Sequence, residues 1–387
     1  MKRVLAVATA GLFLAGCAGI ARADSHAPEI GISGAFSYHE DFNAPSNAAL
    51  AAGTLNQLSY PNNEPGRNSF NIDLIELTAR GQATDSVGYE ASIFFGDLAP
   101  GSGDSNQASG DLSNVGLHTA NVTFPVGTPF GPLQITLGRR ATDIGYEVIQ
   151  PWANANISRS FAWFAQPINN DGAFVSYDGG FWSGTVGVAN GYTVAQTTGT
   201  RNDTNFNKAL VASFKTSIIG WDVTVAGTHS REINAADLSN VNVIVQGDLG
   251  PIQTAVEYNY FDHEFGGPGS ASASLIARTA GGDVEADTGA VYFGQDFDCC
   301  WGWDARFEYD DIDTSSTRFG PPVFASAELW GATLTGTWHV TEGTDLRLEY
   351  RHNGAGGGGV GGNLFADDSS SGADNAQDTL ALQLVVF

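Results

Sequence analysis

Trp301-Gly302-Trp303-Asp304-Ala305-Arg306-Phe307-Glu308-Tyr309-Asp310 follows the short link Asp298-Cys299-Cys300. Trp301, Trp303, Ala305, Phe307 and Tyr309 fall on one parity, and Asp304, Arg306, Glu308 and Asp310 on the other. That is the period of a β-strand with one greasy and one charged face. Leu346, Leu348 and Tyr350 alternate in the same way with Asp345, Arg347, Glu349 and Arg351. Ile252, Thr254, Val256, Tyr258 and Tyr260 alternate with Gln253, Ala255, Glu257 and Asn259, and Trp221, Val223 and Val225 with Asp222, Thr224 and Ala226. A soluble sandwich turns its charged face to bulk water. A transmembrane barrel inverts this, with the greasy face in lipid and the charged face on a wet lumen. Alternation alone fits both.

Turn spacing separates the two. Strands are expected near 29–41, 67–82, 87–97, 114–125, 131–139, 171–178, 181–191 and 207–216. Eight more are expected near 220–230, 239–248, 251–262, 286–296, 301–311, 326–339, 344–354 and 377–387. Every second connection is tight, as at Asp178-Gly179-Gly180, Asp248-Leu249-Gly250-Pro251 and Thr341-Glu342-Gly343, whereas the others are long and polar. Short turns on one rim and long loops on the other mark an outer-membrane barrel, with both termini on the short-turn, periplasmic side. About sixteen strands leave a lumen too wide for wall side chains to fill. The expected fold is all-β, a transmembrane antiparallel β-barrel that forms a pore.

Both ends of the chain agree with export to the outer membrane. Lys2 and Arg3 precede the apolar run Val4 to Ala15, and Ala21-Arg22-Ala23 has the small-x-small form of a signal-peptidase site. Residues 1–23 are expected to be removed, leaving a barrel of residues 24–387. Leu14-Ala15-Gly16-Cys17 also fits a lipoprotein box that would lipidate Cys17, but a barrel needs no lipid anchor. The last strand, Leu380 to Phe387, ends on the aromatic carboxyl terminus that the barrel-assembly machinery commonly reads. Phe387 shares its parity with Val385, Gln383 and Ala381, while the greasier parity is Leu380, Leu382 and Leu384. Forty-nine Gly, 23 Phe, 11 Tyr and 8 Trp suit many turns and aromatic girdles. The formal charge of −25 excludes nucleic acid as a natural partner.

Strand two changes parity: Phe70, Ile72 and Leu74 hold one face, then Ile75, Leu77 and Ala79 the other. A bulge near Leu74 restores the pattern and turns Glu76 and Arg80 toward the lumen. The third long loop, about Arg140 to Asn170, carries Tyr146, Ile149, Trp152, Ile157, Phe161, Trp163 and Phe164. A loop that greasy needs something to pack on, and the inside of the barrel is the economical place. It is expected to fold into the lumen and narrow the channel. Asp143 and Glu147 are the candidate acids of that constriction, facing Arg80, Arg306, Arg347 and Arg351 on the wall. The competing reading pairs these arginines locally with Glu308 and Glu349. Glu257, Asp304, Glu308, Asp310, Asp345 and Glu349 are expected to line the pore.

Asn68-Ser69-Phe70-Asn71-Ile72 with Glu76-Leu77, Phe95-Gly96-Asp97, and Gly145-Tyr146-Glu147-Val148-Ile149 carry a family resemblance. Trp152-Ala153-Asn154-Ala155-Asn156-Ile157-Ser158-Arg159-Ser160 and Asn190-Gly191-Tyr192 continue it. Over about residues 30–192 the chain resembles the OmpL-like beta-barrel porin-2 family, and beyond that only the barrel pattern remains. The resemblance implies an outer-membrane channel with no catalytic residues to carry over.

No enzyme or cofactor is expected. Gly354 to Gly359 satisfies G-x-G-x-x-G formally, but no βαβ unit surrounds it. No H-E-x-x-H, C-x-x-C or nucleophile elbow is present, and no spacing selects His118 or His229 for a Ser/His pair. No metal site is expected either. Asp310, Asp311, Asp313, Asp367 and Asp368 read as solvated loop charges, with divalent bridging to lipopolysaccharide as the alternative. Adjacent Cys299 and Cys300 read as two thiols, since neighbouring Cα atoms lie closer than an unstrained disulfide prefers. Expected partners are outer-membrane lipid and lipopolysaccharide, the assembly machinery through Phe387, small hydrophilic solutes and two further copies in a homotrimer. Two functions stand: a porin for passive diffusion of small hydrophilic solutes, or a dedicated or non-conducting barrel (an adhesin or receptor, or the sheath of an electron-transfer partner).

Overall fold

The computed structural model describes residues 28–42, 69–98, 115–190, 207–231, 237–263, 283–297, 300–315, 326–356, 365–366, 373–374 and 376–387. The signal segment, Cys17, Cys299, Asp367 and Asp368 lie outside them. The strands are β1 (Glu29–Asp41), β2 (Ser69–Thr84), β3 (Val87–Phe95), β4 (Val115–Thr128), β5 (Gly131–Ala141) and β6 (Asn169–Asp178). They continue with β7 (Trp182–Ala189), β8 (Ala209–Ile218), β9 (Trp221–Arg231), β10 (Asp237–Leu249), β11 (Ile252–His263) and β12 (Asp283–Phe297). Then come β13 (Trp301–Ser315), β14 (Ser326–Thr341) and β15 (Thr344–Gly356). β16 (Phe365–Ala366) and β17 (Ala373–Asp374) pair as a short separate ladder, and β18 (Ala376–Val386) ends the chain.

Sixteen of these strands close into one antiparallel barrel, each pairing with its neighbours in sequence and β18 returning to β1. Closure leaves no sheet edge, the condition for a strand wall to stand in lipid. Tight links occur where the turn residues predict them: Asp85-Ser86, Pro129-Phe130, Ile219-Gly220, Gly250-Pro251 and Glu342-Gly343 each join two strands.

The greasy parity is the outer one. Phe307, Leu334, Leu348 and Leu382 are exposed, whereas Arg306, Glu308, Glu349 and Arg351 are buried. Aromatic rings gather at both ends of this outer face. Trp301 and Trp338 pair across β13 and β14 near the short turns, stacked with centroids 5.6 Å apart. Toward the long-loop rim, Tyr260 donates to Glu285 at 2.9 Å and Tyr350 to Asp378 at 2.5 Å. Apolar rings with wet hydroxyls at the rim are what a membrane interface selects. The same alternation explains the terminal strand: Leu380, Leu382, Leu384 and Val386 face outward, and Ala381, Gln383 and Val385 face inward.

The parity change in β2 is a bulge. Ala35 pairs with Leu74 and Phe36 with Ile72, so Asp73 is the extra residue. Its carboxylate accepts from Ser37 of β1 at 2.5 Å and from Gln383 of β18 at 2.8 Å, joining three strands at the closing seam. Asp73 is itself buried. Asp73→Ala leaves Ser37 and Gln383 without this acceptor, so it should destabilise the barrel by about 1–3 kcal/mol. The check is a lower urea midpoint for unfolding in detergent, with Asp73→Asn recovering part of the loss.

Candidate functional site

The segment between β5 and β6 has almost no regular structure: a 3-10 turn at Pro151–Ala153 and one helical turn, α1 (Phe161–Phe164). It is nevertheless buried. Ile144, Ile149, Ile157, Phe161 and Trp163 are all nearly inaccessible, and Ile157 packs on Ala381 of β18. An irregular buried backbone must find partners for its N–H and C=O groups outside a ladder. Here the inward-facing charges of the wall supply them.

Carboxylates take the donors. Tyr146 N–H donates to Glu257 at 3.0 Å, and Phe161 N–H to Glu308 at 2.6 Å. Ile157 and Ser158 both donate to Glu349, at 2.5 and 2.9 Å. Arginines take the acceptors. Arg347 donates to the carbonyls of Pro151 and Asn154 at 3.0 and 2.9 Å, and Arg351 to that of Arg159 at 2.5 Å. Arg306 reaches the carbonyls of Ser158 and Arg159 at 2.9 and 3.2 Å. The wall carries both signs because a backbone offers both polarities.

Arg306 is the centre of this clamp. It is fully buried and pairs with Glu147 of the loop at 2.6 Å and Glu308 of its own strand at 3.1 Å. Arg351 shares Glu308 at 2.9 Å, and its guanidinium lies 5.1 Å from the centre of the Phe161 ring. Charge-assisted bonds of this kind are about twice as strong as neutral ones. Gly145 sets the loop's entry: φ is +94°, a Cβ there would collide with Gln166, and its N–H donates to Asn242 at 3.1 Å. Next to it, burial pushes the Tyr146 phenol up to about 12, with the charge of Glu147 adding to the shift. Tyr146 packs on Tyr292 of β12 with ring centroids 4.4 Å apart.

The expected site residues are therefore brought together only in part. Glu147 pairs directly with Arg306, while Arg347 and Arg351 bond backbone carbonyls of the loop, and all four are buried. Arg306 pairs with loop and wall alike, with Glu147 of the one and Glu308 of the other. Asp143 goes elsewhere: it accepts from Arg140 at 2.8 Å, Ser213 at 3.0 Å and Lys215 at 3.4 Å. Arg80 has the inward parity of its strand but lies at the short-turn rim, 63% exposed and bonded to Glu29 at 2.7 Å. Among the expected pore-lining acids, Glu257, Glu308 and Glu349 are covered by the loop bonds above. Asp310 accepts from Thr288 at 2.7 Å, Asp345 from His339 at 2.8 Å when that ring nitrogen is protonated, and Asp304 is part-buried. Lys215, absent from the expected set, lines open space beside the loop. A lone lysine on the inward parity Ser213, Lys215, Ser217 was the available signal.

Residues 30–387 match the family described as "Putative beta-barrel porin-2, OmpL-like". The chain belongs to this family. The match runs to the last residue, beyond the part where the quoted motifs carry the resemblance. As a member, it is an outer-membrane porin-type barrel. Among solved structures it is similar to the trimer form of OmpT, an outer membrane protein of Vibrio cholerae. The two are 11% identical with a TM-score of 0.57, over 93% of this chain and 99% of that one. It is also similar to the anion-selective porin from Comamonas acidovorans, at 12% identity and a TM-score of 0.52, over 93% of this chain and 99% of that one. At such identities the likeness concerns the fold. None of the curated proteins compared matches the chain.

Proposed function

We propose that the barrel is a passive channel for small hydrophilic solutes and ions across the bacterial outer membrane, and that the β5–β6 loop lies in its lumen as the constriction. The observation that carries this reading is the set of loop partners. Glu257, Glu308, Arg306, Arg347, Glu349 and Arg351 all belong to the inward parity of β11, β13 and β15. A loop bonded to those residues occupies part of the lumen and leaves the rest to water. Export by residues 1–23 and delivery to the assembly machinery through Phe387 complete the proposal. So does a homotrimer, the state named for the Vibrio cholerae neighbour. Liposome swelling tests it: reconstituted protein should admit small sugars at rates that fall steeply with solute size. Swelling no faster than in protein-free liposomes contradicts it.

The second reading, a dedicated or non-conducting barrel, draws on the complete burial of Arg306, Glu349 and Arg351 beneath the loop. It predicts no swelling with any sugar.

Charge sets the selectivity of the channel. The sequence holds 42 acidic side chains against 17 Lys and Arg, and four of the arginines (Arg159, Arg306, Arg347 and Arg351) are buried at the loop. The surplus acids concentrate in mouth and lumen, because the lipid face tolerates little charge. Their field extends over a Debye length of about 8 Å at physiological ionic strength. Modest cation preference follows, strongest at low salt. The reversal potential across a KCl gradient should carry the cation-selective sign, and the anion-selective sign at low salt contradicts it.

A further inference from the structure

Two cavities lie against the wall of β8–β10, the first of them bordered by the loop. One, of about 370 Å³, lies between loop residues Asp143 to Ala155 and the wall of β8–β10, with Tyr292 of β12 beside it. The other, of about 350 Å³, opens at the short-turn rim among Asp178, Gly180 and Asp222. Lys215, Thr224 and Gln246 belong to both linings, so the two spaces share a wall and follow one another along the barrel. On β14 and β15, Glu349, Arg351 and Thr335 are fully buried.

Among the described residues lining these cavities, Lys215 is the one cation. Asp143, Asp178 and Asp222 line them too, and the fourth acid, Glu147, is neutralised by Arg306. Lys215 is half exposed, and its ammonium stands 3.4 Å from Asp143. An ion pair that long and that wet holds its partner weakly. The ammonium therefore stays available to a passing ion at the junction of the two spaces.

Building on the channel reading, we propose that solutes cross the barrel off its axis, along the inner face of β8–β10, and that Lys215 is the residue that tempers their charge preference. The acids above and below it draw in cations, and Lys215 lets anions follow. Small cations and cationic organic solutes pass in preference to anions of equal size, and removing the lysine sharpens that preference. The wall arginines Arg306, Arg347 and Arg351 have little part in selection because the loop covers them.

Two measurements on the full-length protein test this. In planar bilayers at low salt, Lys215→Glu should raise the cation-to-anion permeability ratio about two- to threefold, with Lys215→Gln in between. In a background with Cys299 and Cys300 replaced by Ser, a cationic methanethiosulfonate reagent should cut the current through Thr224→Cys. It should leave Thr335→Cys, beneath the loop, unaffected. An unblocked Thr224→Cys channel, or unchanged selectivity in Lys215→Glu, overturns the route while leaving the channel reading intact. A wild-type protein that passes no current overturns both. The cysteine variants keep the test decisive if Lys215→Glu does not fold.

Discussion

Arg306→Ala should release the β5–β6 loop while the sixteen-stranded wall stays closed. The guanidinium binds Glu147, Glu308, two loop carbonyls and the hydroxyls of Ser158 and Thr333 from a fully buried position. Removing it leaves the Glu147 and Glu308 carboxylates buried without their central partner. Breaking a buried pair on one side costs about 3–5 kcal/mol. The strand ladders on either side of Arg306 are backbone bonds and survive the change. The cost therefore falls on the loop, whose held conformation depends on these contacts. Chymotrypsin reads the outcome: sites at Tyr146, Trp152, Phe161 and Trp163 become cleavable in the folded variant and resist in the parent. Arg306→Lys should rescue little, because a point charge cannot reproduce the planar fork that bridges two carboxylates and two carbonyls. A variant whose loop stays as resistant as the parent's shows that the clamp does not hold the loop.

Deleting residues 146–164 should enlarge single-channel conductance about threefold or more, since a barrel of sixteen strands is wide and the proposed constriction is the loop. The deletion removes Glu147 and every loop group bonded to Arg306, Arg347, Glu349 and Arg351. Those wall charges then meet water, so the mixed Arg and Glu face becomes part of the pore lining. Selectivity should shift as well, because Arg347 and Arg351 enter the field from which the loop screened them. The variant keeps Asp143 and Lys215, so the route beside β8 remains open. If the deletion folds and its conductance equals that of the parent, the loop is not the constriction.

The wall of this barrel is written plainly in the sequence, and the loop is not. Strand alternation has a period of two and faces two unlike media, so Trp301 to Asp310 declares its own inside and outside. Tight turns such as Glu342-Gly343 fix the neighbours, and even the bulge at Asp73 shows, one residue away, as a change of parity between Leu74 and Ile75. Depth along the strand is harder to read. Arg80 has the inward parity, but it lies only a few residues from the Asp85-Ser86 turn and so reaches the rim, not the constriction. The loop follows no period, and direction along it cannot be counted out. Asp143 and Glu147, four residues apart, turn to different strands of the wall, one to Lys215 of β8 and the other to Arg306 of β13. The arginines of β13 and β15 were legible as inward-facing. Their task was not, because an irregular backbone's need for donors and acceptors leaves no mark in the side-chain pattern.

In the proposed channel, water and ions pass beside a pinned loop in an otherwise closed barrel. Single-channel recording of the refolded wild-type protein in a planar bilayer tests it most directly. Steady ohmic steps of one size, or of one size and its multiples, are the predicted result. Protein that inserts as a folded, heat-modifiable barrel and yet passes no current contradicts the account.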